Sequence, residues 1–361
     1  MKRKEDRFDE HIKFAFQREI NLLEKARAFI ASEYLLDGTE VHLQITTLAT
    51  HFDKLLKDAM FLTKQANKLQ ANLEKSNKEL EDSLQIIQEQ KGLVDERNAK
   101  ITESIEYAKL IQNAIFPTIE QFEKIFPKSY ILFKPRELVS GDFYWCCHFP
   151  SQEGFDIQVL AVADCTGHGV PGSMLTFIGN HLLHSIVIEQ KVWQPEKILQ
   201  ILDKGVQKIL KQNNQNINSN DGMDLSILVF RSHYWGDTRQ SELLFSGANQ
   251  PLYILKNQQL EKLKASKYPV GGTQHKDKLF FRHRLEIEDN DRFFIFTDGF
   301  TDQFGGGDNK QKFSVNRLTN LIQQTANQPL QKQGKHISQT LQNWQGTHKQ
   351  IDDITLIAIE W

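Results

Sequence analysis

Four short acidic motifs in the C-terminal part of the chain place aspartates at the ends of strands or in turns. Three of these carboxylates adjoin strongly apolar runs, since Asp164 follows Val-Leu-Ala-Val-Ala, Asp298 follows Phe-Phe-Ile-Phe-Thr and Asp352 comes just before Ile-Thr-Leu-Ile-Ala-Ile. A carboxylate at the end of a core strand is unfavourable unless it is paired or bound to a metal. The motifs, in chain order, are Ser140-Gly141-Asp142, Asp164-Cys165-Thr166-Gly167-His168-Gly169, Thr297-Asp298-Gly299 and Asp352-Asp353-Ile354-Thr355.

Carboxylates grouped in this way are typical ligands for divalent metal ions. Magnesium and manganese prefer oxygen ligands and keep several waters. Two such ions about 4 Å apart can activate a water molecule and hold a phosphate group. An Asp-Gly pair such as Asp298-Gly299 is, on its own, most often a plain turn. Because the four motifs occur together and three of them adjoin core strands, they predict a metal-dependent phosphohydrolase centre.

The three cysteines, Cys146, Cys147 and Cys165, form no metal-binding or disulfide pattern. An odd number argues against a disulfide framework, and adjacent cysteines in a strand point to opposite faces. We therefore expect small buried hydrophobic side chains at these positions and no zinc site.

The composition excludes several other classes of protein. The 44 basic and 46 acidic side chains give a formal net charge of −2, which does not favour a nucleic-acid-binding protein. No run of about 18 apolar residues is present, so no membrane-spanning helix is expected. The first residues, Met-Lys-Arg-Lys, are not followed by the apolar core of a signal peptide. These features predict a cytoplasmic protein.

The N-terminal third of the chain has the composition of helices, because proline is absent before position 117 and glycine is sparse. Apolar residues from Ile12 to Ile30 recur at helical spacing, so residues 8–34 are predicted to form an amphipathic helix. Residues 36–39 are a turn signal, and a second, much longer helix is predicted from near Glu40.

The long helix carries a heptad pattern that changes phase near its middle, which locally rewinds a coiled coil. Lys91, Asn98 and Gln112 fall on the apolar seam, where polar residues fix the register at a cost in stability. For residues 77–115 a parallel dimeric coiled coil is favoured, and we expect a homodimer through the N-terminal helices. For residues 40–75 a dimeric coil and an intramolecular helical bundle both remain open.

Residues 118–361 differ in composition from the N-terminal third, because they contain prolines, glycines and apolar runs of strand length. Strands and helices do not alternate regularly, so we expect an α+β fold with mainly antiparallel sheets. The predicted strands are residues 156–164, 225–230, 252–255, 292–297 and 354–359, the predicted helices are 173–190 and 195–211, and the predicted loops are 211–220 and 303–312. The predicted domains are a helical region at 1–75, a coiled-coil linker at 76–117 and a C-terminal domain at 118–361.

The order of the acidic motifs resembles the PPM family of metal-dependent protein serine/threonine phosphatases, and within it the bacterial SpoIIE-like branch. The resemblance covers residues 120–361 and includes the stretches 245–251 and 268–272. It implies a central antiparallel β-sandwich flanked by helices, with two Mn²⁺ or Mg²⁺ ions at one edge of the sheets.

The resemblance also implies roles for single residues. Asp164 would bridge the two ions, and the backbone carbonyl of Cys165 would bind one of them. Asp142 would hold metal-bound water, directly or through hydrogen bonds, and the nucleophile would be a metal-activated hydroxide without a phosphoenzyme. Relatives carry Asn or Asp at position 353, so Asp352 and Asp353 are both candidate ligands. The complete set of implied metal ligands is Asp142, Asp164, Cys165, Asp298, Asp352 and Asp353.

Other polar residues near the motifs have open interpretations. His168 could act as an acid to the leaving serine oxygen or shape the turn before the next helix, and the second interpretation is favoured. Arg136 could contact phosphate or form a surface salt bridge, and the salt bridge is favoured. Asp302 is interpreted as a turn or loop residue, with a third, weak metal contact as the alternative. Asp221 and Asp224 are interpreted as structural residues before a strand, with a contact to the site as the alternative.

The function implied by the resemblance is a protein serine/threonine phosphatase of bacterial signalling, regulated by its N-terminal helices. Its partner would be a phosphorylated protein, for which the branch suggests an anti-sigma-factor antagonist. Two alternatives are a catalytically weak signalling scaffold with a phosphatase fold and a phosphohydrolase for a small phosphoester. The intact acidic motifs favour an enzyme, and the absence of a phosphate-cradling Gly-rich loop disfavours a nucleotide substrate.

Overall fold

A computed structural model describes residues 12–31, 40–150, 155–212, 219–235, 238–275, 277–307 and 310–361 of the chain. The chain divides into two compact units, with the boundary between Asn98 and Ala99. The predicted turn at residues 36–39 lies outside the described residues, as do residues 213–218 of the predicted loop at 211–220.

The first unit is built from helix α1 (Gln17–Ile30) and most of helix α2 (Glu40–Ile115). Helix α2 continues over 76 residues because this stretch has no proline and is rich in good helix formers. Leu23 of α1 and Leu56 of α2 are buried, which confirms two amphipathic helices within the predicted ranges. Among the described residues, no helix combines the length and hydrophobicity that a bilayer crossing requires.

Among the described residues, the second unit contains two large antiparallel sheets and one two-stranded sheet. Its described strands are β1 Ser129–Lys134, β2 Asp142–Phe149, β3 Phe155–Cys165, β4 Gly222–Trp235, β5 Thr238–Ala248, β6 Leu252–Lys256, β7 Gln259–Leu263, β8 Val270–Gly271, β9 His283–Ile287, β10 Arg292–Phe296, β11 Phe304–Gly305, β12 Gln311–Lys312 and β13 Ile354–Glu360. One large sheet has the order β1-β13-β10-β6-β7, the other large sheet has the order β2-β3-β4-β5-β9 with β8 paired to β4, and the two-stranded sheet pairs β11 with β12.

Helices cover the outer faces of both sheets. Helices α4 Gly169–His184 and α5 Pro195–Ile209 cover one sheet, and α6 Asp298–Asp302, α7 Val315–Gln324 and α8 Leu330–Gln345 cover the other. Helix α3 Ile119–Ile125 instead contributes Phe122 to the layer between the sheets, and Ser185–Glu189 add a π-helical turn after α4. On β3, Val159 belongs to the apolar layer that includes α4 and α5, whereas Leu160 belongs to the layer between the sheets. Both faces of β3 are therefore buried, which explains its apolar run without alternation. The predicted α+β sandwich flanked by helices is confirmed.

Several predicted segments differ in their bounds from the structure, as in strand β4, which extends from Gly222 to Trp235 rather than over 225–230. Helix α4 begins at Gly169, before the predicted start at residue 173, because the chain turns into it directly after the Gly167-His168 step. The predicted loop at 303–312 contains the short hairpin of β11 and β12. Strands of two residues are too short to carry the alternation from which strands are predicted.

Candidate active site

Strands β2, β3 and β4 bring three aspartates into one row. Asp142 pairs in register with Asp164, and Asp164 pairs with Asp224. Directly opposed residues of antiparallel strands project from the same face, with Cβ atoms about 5 Å apart. The row continues to Asn249, whose Nδ2 donates a 2.9 Å hydrogen bond to Asp224 Oδ1. Asp224, interpreted from the sequence as structural, thus lies beside the predicted bridging residue.

The other sheet contributes Asp298 and Asp352. Asp298 is the first residue of α6, just beyond β10, and Asp352 precedes the neighbouring strand β13. The backbone of Gly299 packs so closely on this segment that an added Cβ would lie 2.0 Å from the carbonyl oxygen of Asp353. Glycine is therefore required after Asp298, and the tight packing holds the third and fourth motifs together.

Two threonines join the sheets at this edge. The hydroxyls of Thr297 and Thr355 donate hydrogen bonds of 2.8 and 2.6 Å to Asp142 Oδ2. The backbone N–H of Thr355 in turn donates to Thr297 Oγ1 at 3.0 Å. Asp142 is buried, so these contacts fix its carboxylate. Neither threonine was singled out from the sequence, although each belongs to one of the acidic motifs.

The adjacent aspartates Asp352 and Asp353 have different surroundings. Asp353 is buried, and its two carboxylate oxygens each accept a 2.6 Å hydrogen bond, from the backbone N–H groups of Arg136 and Gly141. Asp352 is half-buried and accepts a 2.9 Å hydrogen bond from the N–H of Asp353 on one oxygen. Within the described residues, its second oxygen accepts no hydrogen bond. The carboxylate of Asp352 is therefore the more available of the two.

Negative charge accumulates where these aspartates meet. Burial, followed by the charges of Asp142, Asp298, Asp352 and Asp224, raises the pKa of Asp164 to about 10. Burial likewise raises the pKa of Asp142 to about 8, although the two threonine hydrogen bonds act in the opposite direction. The cluster therefore lacks the positive charge that would keep both carboxylates ionised at neutral pH.

An oxygen-only donor set with uncompensated negative charge fits Mg²⁺ or Mn²⁺. Across the described ranges, no group of three or more histidine, cysteine, aspartate or glutamate side chains is arranged so that it could hold a metal ion by itself. Mg²⁺ and Mn²⁺ need fewer protein ligands than such a group supplies, because they keep several waters. An open edge suits ions that keep several waters and leave positions for a phosphate group. Asp164, Asp298 and Asp352 are the carboxylates that could hold such ions.

The cysteines occupy the positions expected of small hydrophobic residues. All three are free thiols. Cys165 is buried in the layer that includes α4 and α5, and burial raises the pKa of its thiol. Burial also raises the pKa of Cys146 to about 12. Only the backbone carbonyl of Cys165 is thus suited to contribute to the site.

Glycines shape the turn that follows Asp164. Gly167 and Gly169 have positive φ angles of 82° and 64°, which favour glycine. His168 occupies the N-cap position of α4, but its side chain makes no capping hydrogen bond. Instead its Nδ1 lies 2.8 Å from Glu137 Oε1. The glycines, rather than a capping contact of His168, account for the turn.

Arg136 and Asp302 make contacts that bear on the remaining open interpretations. Arg136 donates from Nη1 to the carbonyl of Ile351 at 2.8 Å, and the described structure gives it no salt bridge, so the favoured interpretation was wrong. Asp302 is the last residue of helix α6 rather than a loop residue, and it accepts a 2.6 Å hydrogen bond from Lys312 Nζ in the hairpin.

Gln112 of α2 reaches the same region and was not predicted to do so. Its side chain is buried, and its Nε2 donates to the Ser140 carbonyl at 2.7 Å and to Thr176 Oγ1 at 3.1 Å. Its Oε1 accepts a 3.0 Å hydrogen bond from the Ser140 N–H. Ser140 Oγ accepts from the N–H of Asp142 at 3.1 Å. The assignment of Gln112 to the coiled-coil seam is therefore wrong, because this residue packs inside the second unit.

Comparisons with known proteins find similar chains. A family model described as Stage II sporulation protein E (SpoIIE) matches residues 158–361. The solved SiaA-PP2C domain of Pseudomonas aeruginosa shares 30% sequence identity with a TM-score of 0.62, over 73% of this chain and 98% of that one. The PP2C phosphatase domain of SpoIIE from Bacillus subtilis, solved with a fragment of its regulatory domain, shares 16% identity with a TM-score of 0.48, over 65% of this chain and 63% of that one. A search among curated proteins found no match.

Proposed function

The chain belongs to the SpoIIE family and is a PPM-type protein serine/threonine phosphatase, and from this membership we propose that the acidic edge around Asp164 is its catalytic centre. The observation that carries the proposal is the convergence of four motif aspartates, in which Asp142, Asp298 and Asp352 all raise the pKa of Asp164. Such a charge cluster is typical of a divalent-metal site that performs hydrolysis.

Two divalent ions, Mn²⁺ or Mg²⁺, are the proposed cofactors. Asp164 would lie between them, the carbonyl of Cys165 would contact one, and Asp298 with Asp352 would complete the first site. When bound, the ions supply the positive charge that polarises water and neutralises the phosphate. We assign metal binding to Asp352 rather than Asp353, since Asp353 uses both carboxylate oxygens on backbone N–H groups.

Asp142 and Asp353 are proposed to position the metal ligands and the metal-bound water. Asp142 is held by two threonine hydroxyls, so it can position water at the edge without moving. Asp353 ties the loop that contains Arg136 and Gly141 to the start of β13, which keeps Asp142 aligned with Asp352. Rigid support of this kind preserves the geometry that an in-line displacement requires.

The proposed substrate is phosphoserine or phosphothreonine on a partner protein, with a phosphorylated anti-sigma-factor antagonist as the candidate suggested by the SpoIIE-like branch. Family membership supports a protein substrate. A cytoplasmic location is proposed on the same basis.

We further propose that the N-terminal helices form a homodimer that regulates the phosphatase. Apolar side chains along α2 are exposed, including Leu69, Leu80 and Ile87 with 63%, 59% and 58% of their surface accessible. A regular apolar stripe of this kind is typical of a coiled coil. Gln112 near the end of the same helix contacts Ser140, two residues before Asp142, so the helix has a direct connection to the centre.

A substrate panel tests the proposed function. Phosphoserine and phosphothreonine peptides, p-nitrophenyl phosphate and a nucleotide should be compared with Mn²⁺, with Mg²⁺ and with a chelator. We expect metal-dependent hydrolysis that favours the phosphopeptides. Efficient turnover of the small phosphoester alone would support the small-molecule alternative, and no turnover of any substrate would support the scaffold.

A further inference from the structure

Lys278 is almost completely buried, with 3% of its side chain exposed. Its Nζ donates to Asp203 Oδ1 at 2.7 Å, and to the carbonyl oxygens of Pro269 at 2.9 Å, Gly271, and Gly272 at 3.3 Å. A buried ammonium is unfavourable unless acceptors surround it. One carboxylate and three carbonyl oxygens do so, which is a ligand set suited to a monovalent cation.

Asp203 of α5 also binds the segment of residues 269–272 that Lys278 contacts. Its Oδ1 also accepts from the N–H of Gly271 at 2.8 Å, and its Oδ2 accepts from Gln207 at 3.1 Å. Gln207 donates further to the carbonyl of Gly272 at 3.1 Å. Gly271 and Gly272 have positive φ angles of 81° and 73°, so the path of residues 269–272 is irregular. The hydrogen bonds of Lys278, Asp203 and Gln207 hold the backbone of residues 269–272 in this conformation.

This segment is joined to the strand beside the catalytic centre. Strand β8 pairs with the first residues of β4. An added Cβ on Gly222 would lie 2.2 Å from the carbonyl oxygen of Val270, so the two backbones are in direct contact. Gln212 bridges the same segments, because it donates to the carbonyl of Asp221 at 2.6 Å and accepts from the N–H of Gly272 at 2.8 Å.

The start of β4 in turn holds the peptide that follows Cys165. The N–H of Thr166 donates to the carbonyl of Gly222 at 2.9 Å, and Thr166 Oγ1 accepts from the N–H of Gly222 at 3.0 Å. The Thr166 N–H and the Cys165 carbonyl belong to one planar peptide unit. Fixing the N–H therefore fixes the direction of the carbonyl that is a proposed metal ligand.

We propose that Lys278 is a positioning residue of the metal centre, an internal cation that holds residues 269–272 against β4 and so orients the Cys165 carbonyl. The inference rests on the proposed function, because it needs this carbonyl to bind a metal ion. Its effect is exerted through Gly222 and Thr166, and the ammonium itself touches neither metal nor substrate.

Chemical rescue tests this inference on the full chain. Lys278→Ala removes the ammonium and leaves a pocket lined by the same four oxygens. We expect Mn²⁺ affinity, measured by isothermal titration calorimetry, and kcat on a phosphoserine peptide to fall about 10- to 100-fold. Propylammonium supplies the missing atoms and should restore most of both. Lys278→Met fills the space without the charge, so it should lose affinity and not respond to propylammonium.

Two control variants separate the possible outcomes. Lys256→Met removes an ion-paired lysine of β6, which contacts Glu288 and Asp291, and should leave Mn²⁺ affinity unchanged. Asp164→Asn tests the proposed function itself, and full activity in that variant would overturn both proposals. If Asp164→Asn is inactive while Lys278→Met binds Mn²⁺ like the parent and only melts earlier, Lys278 is merely structural and the inference is wrong. Should Lys278→Ala not fold, Lys278→Met alone decides.

Discussion

The two units of the chain differ in the burial of their apolar side chains. In the second unit, Val159 and Leu160 on adjacent positions of β3 are both fully buried, because sheets and helices cover each face. In the first unit, Leu69 and Leu73 of α2 remain 63% and 54% exposed. A single chain thus completes the catalytic sandwich, whereas the long helix presents a surface that a second helix would cover. The catalytic sandwich and the apolar surface of the helix can therefore each be changed by its own substitutions.

The largest effect is expected from Asp164→Asn in the sandwich. Losing the proposed bridging carboxylate removes several kcal/mol of transition-state stabilisation, so kcat should fall about a thousandfold. The fold should persist, since asparagine has the size of aspartate and a pKa of about 10 keeps Asp164 protonated at neutral pH in the metal-free fold. Hydrolysis of a phosphoserine peptide in Mn²⁺, with circular dichroism in parallel, measures both. Asp156→Asn, at the far end of the same strand, is the matched control and should behave like the parent.

The next test addresses the exposed helix. We expect the full chain to be a dimer at micromolar concentration by light scattering, because the apolar seam of α2 needs a partner. A fragment that begins at residue 99 should be monomeric. This starting point is better than residue 118, since it retains Gln112 and Phe116, which are buried in the second unit. A monomeric full chain would instead favour a folded-back bundle.

The charge cluster also predicts how stability depends on pH in the metal-free protein. The pKa of Asp142 is raised to about 8 and that of Asp164 to about 10, from an ordinary value of 3.8. Between pH 4 and 8 the folded chain therefore binds more protons than the unfolded chain, so the free energy of unfolding falls as pH rises.

We expect the melting temperature in chelator to drop by roughly several degrees between pH 5 and pH 8. Mn²⁺ should reverse the loss at pH 8 by binding the native state. Asp164→Asn should show a shallower dependence on pH. A melting temperature that rises over this interval would contradict the electrostatic description of the site.

A smaller effect is expected near the end of α2, inside the second unit. Gln112→Ala leaves the buried N–H and carbonyl of Ser140 without their partner, at a cost of about 1–3 kcal/mol for each group. Because Ser140 Oγ accepts from the N–H of Asp142, we expect kcat to fall about tenfold. Exposed Gln90→Ala is the control on the same helix. A lower melting temperature with unchanged kcat would make Gln112 purely structural.

Much of the catalytic unit was predictable from sequence, and the reasons are local. Strand β3 is apolar throughout because both of its faces are buried, and Asp164 marks its end. The pairing of Asp164 with Asp224 was missed, since the register depends on a partner strand some sixty residues away. Gln112 was misassigned because a polar residue in a heptad pattern looks the same whether it faces a second helix or a domain. Both errors, at Asp224 and at Gln112, arose because contacts between residues distant in sequence leave no local pattern.

The smallest effect concerns the seam itself. Lys91 and Asn98 are exposed on α2 and weaken the predicted coil, whereas further along the helix Ile111 and Ile115 are 41% and 39% exposed, beside the buried Gln112. The last turns of α2 thus face both the sandwich and solvent, which is the arrangement a two-state coupling element needs.

Replacing Lys91 with leucine and Asn98 with isoleucine should strengthen the helix pair and change the rate of dephosphorylation several-fold, up or down. The reason is that a more rigid coil restricts how the turns near Gln112 pack, and these turns hold Ser140 next to Asp142. Steady-state kinetics on a phosphoprotein, with the dimer dissociation constant measured in parallel, decides the matter. A tighter dimer with parental kinetics would mean that the helix is a rigid spacer between two independent phosphatase domains. A tighter dimer with altered kcat, abolished again by Gln112→Ala, would mean that the assembly surface controls the catalytic centre through this one side chain.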